Sequence, residues 1–236
     1  MSIGLSLIIP VLDEKALLPE LVAQIESIQA DQTIIIDGGS SDGSWEWLTD
    51  NWQGQSEDYV LMRSAMGRAP QMNAGAEVAE HDVLLFLHAD TQLPLAAKQQ
   101  ILDAASRSEL KQFWGRFDVR FTSIKQRSMQ IIAFFINLRS RLSSVATGDQ
   151  AIFVSSYLFD LIQGFEEIEI MEDVAFSNKL RKIAKPLCLR STVISSARRW
   201  ERNGVVTTVI QMWAYRLAFL LGIEPARLKR GYRNVR

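Results

Sequence analysis

Four short apolar runs, each followed by a polar turn or a segment of helical spacing, constrain this chain most. Residues 5–9, 33–37, 59–62 and 83–87 are rich in Leu, Ile, Val and Phe. Residues 14–29 carry Leu17, Leu18, Leu21, Val22, Ile25 and Ile28 at the spacing of one helical face. Residues 44–51 read as a second helix, and residues 67–79 as a loop followed by a third. Strands alternating with helices predict a parallel α/β sheet. The run at 83–87 is almost wholly apolar, as expected at the centre of such a sheet.

The second half is less regular. Residues 113–121 alternate like a half-exposed strand, and residues 126–142 form a strongly apolar helical stretch. A short strand at 151–154, a short helix at 156–163, an amphipathic helix at 172–184 and a last strand at 186–193 follow. No internal repeat or low-complexity linker interrupts the 236 residues, so a single domain over 1–236 is expected.

Composition narrows the class. Hydrophobic residues at 47% and charged residues at 22% are ordinary globular usage, which argues against disorder. A net charge of -1 lacks the broad basic footprint of a nucleic-acid binder, so no nucleic-acid partner is expected. Basic residues cluster only locally, at Arg198, Arg199 and Arg202 and again at Arg227, Lys229, Arg230, Arg233 and Arg236. Cys188 is the one cysteine, so no intrachain disulfide can form, which fits a reducing compartment. The opening residues lack a basic region, and Ser6 and Pro10 break their apolar run, so no secretory leader is expected. Residues 205–222 come nearest to a membrane span but include Gln211 and Arg216. A charge near mid-span costs about 2.5–3.5 kcal/mol, so this segment reads as a buried or interfacial helix.

In open parallel sheets, ligands lie beyond the carboxyl ends of the strands. Three of the strands deliver polar residues there: Asp13 and Glu14, then Asp37, then His88 and Asp90. Asp37-Gly-Gly-Ser-Ser-Asp-Gly allows close backbone approach to a ligand, with Asp37 accepting from a base or ribose; equally, Asp37 caps a plain polar turn. Neither a GxGxxG nor a GxxxxGK[ST] pattern is present. Asp90, just past a buried strand, is poorly placed for packing and well placed for a hard cation. Mg2+ and Mn2+ take oxygen ligands and bridge one or two carboxylates to substrate phosphates. His88 reads as a metal ligand, a nucleotide contact or a half-buried packing histidine. Arg68 lies in the loop before a helix, either for phosphate or for solvent. Glu172 and Asp173 open a helix, where they meet its dipole, or where Asp173 serves as general base to an acceptor hydroxyl. Thr147-Gly148-Asp149-Gln150 lines the acceptor side or forms a turn. Ser196-Ala-Arg198-Arg199-Trp200 meets a diphosphate leaving group, or is a basic surface loop with Trp200 anchored in the core.

Together these segments resemble the family 2 glycosyltransferases of the GT-A fold, over about residues 5–200. Leu7-Ile-Ile-Pro10 with Asp13-Glu14 is similar to the family's opening strand and first acidic pair. The turn after Asp37 is similar to its nucleotide-binding turn, His88-Ala-Asp90 stands at its Asp-x-Asp motif, and Glu172-Asp173 at its catalytic pair. Gly67-Arg-Ala-Pro-Gln-Met-Asn73 and Ser196-Ala-Arg-Arg-Trp200 bring it nearest a bacterial subgroup of small members.

The resemblance implies a Rossmann-like α/β fold with a mostly parallel central sheet flanked by helices. It implies a nucleotide-sugar half at 1–110, an acceptor and catalytic half at 111–203, and a C-terminal helix with a basic tail at 204–236. The implied reaction is metal-dependent, inverting transfer from a UDP- or GDP-sugar to an acceptor hydroxyl. Pro10, Glu14, Asp37, Gly38, Arg68, His88 and Ala89 are then the nucleotide contacts, and Asp90 holds Mn2+ or Mg2+. Arg199 and Trp200 meet the diphosphate, Gly148, Asp149 and Gln150 the acceptor, and Asp173 with Glu172 is catalytic. Two departures matter. His88 replaces the first aspartate of Asp-x-Asp, so Asp90 is expected as the one carboxylate metal ligand of that motif. Ser196-x-x-Arg199-Trp200 replaces Gln-x-x-Arg-Trp, and the clear transmembrane helices of the synthases are missing from the sequence given; both argue against a processive polymer synthase.

Two other functions fit the same pattern: a nucleotidyltransferase acting on a sugar phosphate, and a non-catalytic nucleotide-sugar-binding protein. The apolar stretches at 129–138 and 205–222, the second flanked by basic residues, suit peripheral membrane contact toward a lipid-linked acceptor. Core burial or a homodimer interface is the rival reading, and the simpler one. The expected location is the cytoplasm, at the inner face of the cell membrane.

Overall fold

The computed structural model describes residues 3–108, 111–122, 126–225 and 228, with backbone alone at 126, 127 and 199. The first half alternates as the sequence predicts: β1 (Leu5–Val11), α1 (Leu18–Ile28), β2 (Gln32–Asp37), α2 (Ser44–Asn51), β3 (Tyr59–Arg63), α3 (Arg68–Glu77) and β4 (Val83–Phe86). A two-residue β5 (Thr91–Gln92), α4 (Ala97–Ser106), β6 (Trp114–Thr122) and α5 (Gln126–Ser143) follow. β7 (Phe153–Ser155), α6 (Ser156–Leu161), α7 (Glu172–Leu180), β8 (Leu187–Ser196), α8 (Arg198–Asn203) and α9 (Val205–Leu220) complete the described chain.

The strands form one sheet in the order β3-β2-β1-β4-β7-β6-β8-β5. β7 pairs antiparallel with β4 and β6, and β5 antiparallel with β8; the remaining pairings are parallel. The central strands are apolar because both their faces are covered. Alternate residues divide between two cores. Leu5, Leu7, Ile9, Val83 and Leu85 pack with α1, α4 and α5, whereas Ile8, Ile34, Leu84 and Phe86 pack with α3, α6 and α7.

One proline shapes the rim. β1 and β4 pair from Leu5↔Val83 to Ile8↔Phe86, and Leu87 then donates its N–H to the Ile8 carbonyl at 3.0 Å. The next donor along β1 would be Pro10, which has no N–H. The β1–β4 ladder stops there. β2 lies on one side of β1 and β4 on the other, so this is the place where the strand order reverses.

Several expectations need correction. The helix expected over 14–29 begins as a separate 3-10 turn, Lys15–Leu17, and α1 starts at Leu18 with Pro19 in its first turn, where proline is tolerated. Arg68 is the first residue of α3 rather than part of the loop before it. β5 and α4 were not foreseen, because the buried positions of α4 are Ala97, Ile101 and Ala105, only one of them large. β6 is buried over its first four residues and alternates only afterwards.

Of the alternatives for the two apolar helices, full core burial does not hold. In α5, Met129 and Ala133 are buried, while Ile131, Phe134, Phe135 and Leu138 are exposed. Thr208 is the one buried residue of α9, and Val206, Ile210, Trp213, Leu217 and Leu220 face outward. Neither helix contains a carboxylate. Among the described residues, no helix is long and apolar enough to cross a membrane.

α5 is fixed to the sheet by polar contacts the sequence did not reveal. Asn137 exchanges two hydrogen bonds with the Val119 backbone at 2.9 and 3.0 Å. The buried guanidinium of Arg116 pairs with Asp118 and donates to the Asn137 carbonyl at 3.2 Å. Arg141 reaches the other Asp118 oxygen at 2.6 Å.

Candidate active site

The loops after β1 and β2 are knitted together. Asp13, at a left-handed φ of 54°, accepts from the Ser41 N–H at 2.7 Å and donates its own N–H to Ser40 Oγ at 2.9 Å. Glu14 N–H donates to Ser44 Oγ at 3.2 Å, and Lys15 N–H to Asp42 at 2.9 Å. Burial raises the Asp42 pKa, but the hydrogen bonds from Ser44 and the Lys15 backbone outweigh it, leaving the carboxyl below its ordinary value. Asp37 is fully buried and accepts from the N–H groups of Gly39 and Ser40 at 3.0 and 3.2 Å, which is the turn-capping arrangement. Arg63 lies 3.7 Å from Asp37 and 4.2 Å from the centre of the Trp45 ring.

Gln71 joins these strand ends from below. Its buried amide donates to the Val11 carbonyl at 2.8 Å and the Ile36 carbonyl at 2.7 Å. Gly38 must be glycine for this to happen, since a Cβ there would come within 2.9 Å of the Gln71 side chain. Pro10 is buried in β1 opposite Ile36 and shapes the rim from within.

Asp90 stands at a cleft of about 210 Å³ whose walls include Gln24, Ala89, Thr91, Ser196 and Arg198. Arg198 Nη2 donates to Asp90 Oδ2 at 3.4 Å and to Glu14 Oε2 at 3.3 Å. Its Nε donates to Ser196 Oγ at 3.1 Å. Burial lowers the Arg198 pKa, and the charges of Glu14 and Asp90 more than reverse that, holding it above its ordinary value. Two carboxylates from different strand ends are therefore arranged around one positive charge. Among the described residues, no three His, Cys, Asp or Glu side chains converge as a metal cluster.

A second, narrower crevice of about 10 Å³ lies between β4 and α7, lined by His88, Gly148, Glu172 and Asp173 with Met72 and Phe165. Asp173 Oδ2 accepts the Gly148 N–H at 2.8 Å. The His88 ring packs so tightly on Gly148 that a Cβ there would sit 2.4 Å from it. Glu172 is buried, and its carboxylate lies 3.8 Å from Arg68 Nη1, which joins the first turns of α3 and α7. Asn73 exchanges two 2.9 Å hydrogen bonds with the Phe165 backbone and fixes the loop leading to α7. Met171, immediately before Glu172, has φ of 67°; Ala151, just after Gln150, has φ of 48°. Such backbone strain clusters where structure holds a functional group in place.

Two arginines of the apolar helices act by charge on the acids near this crevice. Arg139 of α5 and Arg216 of α9 both feel the charges of Asp149 and Asp173. Burial, with repulsion from Arg216, pushes the Arg139 pKa down to about 10. Burial and the nearby Asp173 charge hold the Asp149 carboxyl above its ordinary value, against the pull of Thr147, Arg139 and Arg216.

The strand order reverses at β1 and β4 with acids at that rim, and the sequence of residues 6–162 matches the glycosyl transferase family 2 model. The chain belongs to glycosyl transferase family 2. It is 34% identical over 107 residues to the undecaprenyl-phosphate 4-deoxy-4-formamido-L-arabinose transferase of Aeromonas hydrophila, a match covering 42% of this chain and 33% of that protein. In structure it is similar to S. aureus TarS 1–349, with a TM-score of 0.58 and 14% identity, over 83% of this chain and 61% of that one. It is equally similar to the mannosyltransferase PcManGT from Pyrobaculum calidifontis in complex with GDP-Man and Mn2+, at a TM-score of 0.58 and 16% identity. That match covers 92% of this chain and 65% of that one. The chain thus spans a third of the curated relative and under two thirds of each solved structure. The GT-A fold expected from the sequence is the fold observed.

Within the family 2 framework, the candidate residues divide by place. Asp37 and Gly38 build the β2 turn, Ala89 and Asp90 line the cleft with Glu14 joined to it through Arg198, and His88, Gly148, Glu172 and Asp173 meet at the crevice. Asp149 feels the charge of Asp173, and Gln150 turns inward, with Nε2 3.4 Å from the Phe117 carbonyl. Trp200 is buried with its ring 5.8 Å from Phe121, the core-anchoring arrangement. The Arg199 side chain lies outside the described atoms; the arginine seen at the cleft is its neighbour Arg198. Sequence reasoning missed Gln71, Arg139 and Arg216, whose only signal was a polar residue within an otherwise apolar helical face.

Proposed function

We propose that the protein transfers a sugar from a nucleotide diphosphate sugar, UDP- or GDP-linked, to an acceptor hydroxyl at the rim between β1 and β4. One observation carries this reading: the segment His88-Ala89-Asp90 borders both cavities. Asp90 faces Glu14 and Arg198, while His88 lies beside Gly148, which holds Asp173. Three residues span at most about 10 Å, so a donor at one end and an acceptor at the other can share a reacting carbon.

Asp173 takes the proton of the acceptor hydroxyl as its oxygen attacks the anomeric carbon. The bond from that carbon to the diphosphate breaks in the same displacement, which inverts configuration. Gly148 N–H holds Asp173 in place, and Glu172 holds Arg68 toward the donor. Arg68 and the arginines at 198 and 199 supply cations for the departing diphosphate. The arrangement of Glu14 and Asp90 around a single cation fits a hard divalent ion, with Asp90 as the principal ligand. Bound Mn2+ or Mg2+ supplies charge stabilisation to the leaving diphosphate. The GDP-Man and Mn2+ complex of the Pyrobaculum neighbour supports this donor and metal.

The Aeromonas relative, named for undecaprenyl phosphate, supports a lipid-linked acceptor. The outward apolar faces of α5 and α9 support peripheral contact at the inner face of the membrane, and so a cytoplasmic location.

A thermal-shift panel of nucleotide sugars with and without Mn2+ tests the reading. A ligand at 100 times its Kd stabilises by about 2.7 kcal/mol, so one UDP- or GDP-sugar with Mn2+ stands out. No shift with any of them defeats it. Pyrophosphate release from a nucleoside triphosphate and a sugar phosphate assigns a nucleotidyltransferase instead.

A further inference from the structure

We propose that Arg63 reads the base of the donor and selects guanine, so that the protein uses a GDP-sugar rather than a UDP-sugar. This selection rests on the nucleotide-sugar reading above and narrows it. With the diphosphate at Asp90, just past β4, the base lies toward β3, since β1 and β2 stand between those two strands. Three strand spacings of about 4.8 Å come to about 14 Å, a distance that an extended nucleoside diphosphate covers.

Asp37 and Arg63 are register partners at the ends of β2 and β3. Asp37 is fully buried, and its Oδ2 accepts from the N–H groups of Gly39 and Ser40, so it meets no base directly. What it holds at the surface is Arg63, whose Nε lies 3.7 Å from the same oxygen. The Arg63 side chain is 53% exposed, and its Cζ lies 4.2 Å from the centre of the Trp45 ring. Among the described residues, its guanidinium donates no hydrogen bond. One carboxylate and one indole thus set the plane of a cation whose terminal N–H groups are left to a ligand. Gly39, which shares Asp37 Oδ2 with Arg63, has φ of 88° and nothing within 4 Å of where a Cβ would stand. The turn beside Arg63 is therefore open, and a flat ligand can lie close to its backbone.

The chemistry of that guanidinium edge selects the base. Two parallel N–H groups match two adjacent acceptors, and guanine carries such a pair, N7 and O6, on one edge. Adenine sets an amino donor beside N7. Uracil sets the N3–H donor between its two carbonyl oxygens, so no edge offers the pair.

The test is calorimetric titration of the full chain with GDP, UDP, IDP and 7-deaza-GDP in the presence of Mn2+. Wild type is expected to bind GDP about 5- to 150-fold more tightly than UDP, the range for one bidentate pair of arginine and guanine. IDP keeps N7 and O6 and should match GDP closely. 7-deaza-GDP lacks N7 and should bind about tenfold less tightly. Arg63→Ala should weaken GDP by most of the wild-type preference while leaving UDP nearly unchanged. Arg63→Lys keeps the charge without the fork and should lose the preference too. Equal binding of GDP and UDP by wild type, or no effect of the missing N7, overturns the selection and leaves the nucleotide-sugar reading intact. Equal weakening of GDP and UDP in Arg63→Ala assigns Arg63 to the phosphates and also overturns it. If none of the diphosphates binds, the nucleotide-sugar reading itself fails, and the selection with it.

Discussion

Gly148 donates its backbone N–H to the Asp173 carboxylate at 2.8 Å, joining two residues that are 25 positions apart. The bond aims Asp173 into the crevice beside His88. Asp173→Asn keeps the shape but loses the proton acceptor. Turnover should fall about 10²- to 10⁴-fold, with nucleotide-sugar affinity changed by no more than about threefold. Steady-state kinetics with calorimetric binding checks this, and near-normal turnover removes Asp173 from the base role.

Gly148→Ala places a methyl 2.4 Å from the His88 ring, so the ring or the turn must move. The expected result is a loss of kcat of about 10²-fold, as for a displacement of about 1 Å in a catalytic group. Adding His88→Ala makes room for the methyl. Recovery of thermal stability in the double variant over Gly148→Ala alone identifies the clash; no recovery argues that the ring is not what the methyl meets.

Gln71→Met removes the donor that serves the Val11 and Ile36 carbonyls while keeping much of the volume. The Val11 carbonyl keeps the Gly38 N–H at 2.9 Å, so the loss is that of two net hydrogen bonds at about 0.5–1.5 kcal/mol each, about 2 kcal/mol in all. Urea titration should show a lower midpoint with an unchanged slope.

Asp149 titrates upward in the fold because burial and Asp173 disfavour its charge. An acid whose folded pKa is raised contributes stability that is fully present below its unfolded pKa, near the ordinary 3.8, and is lost as pH rises through the folded value. Asp149→Asn removes that loss. The Tm of the variant minus that of wild type should become more positive from pH 4 to pH 8; a flat or falling difference contradicts the assignment.

The exposed faces of α5 and α9 predict flotation of the protein with anionic vesicles. Ile210→Asn with Trp213→Ser should weaken partition at least about tenfold, since burial of each such side chain contributes about 1.5–3 kcal/mol. Full recovery in the soluble fraction with anionic lipid present argues against docking. A concentration-dependent change in sedimentation that the same variant abolishes assigns the face to a homodimer.

Much of the architecture was legible because each central strand is a continuous apolar run and each flanking helix repeats near 3.6 residues. β1 to β4 and α1 to α3 fell close to their expected places for this reason. β5 and α4 did not, because two residues carry no period and small alanines give a faint one. The candidate site was legible as a set of strand-end acids. Its partners were not: Gln71, Arg139 and Arg216 sit inside helices, where a lone polar residue on an apolar face does not say which distant group it meets.

The sequence by itself determined the alternation of elements, the polar character of the strand ends and, through Pro10, where the β1–β4 ladder must stop, since these follow from local period and a missing donor. Tertiary structure alone decided which charges meet: Arg198 with Glu14 and Asp90, Asp173 with Gly148, Arg68 with Glu172. Those pairs lie far apart along the chain, and short-range pattern holds no information about the path that brings them within a hydrogen bond of each other.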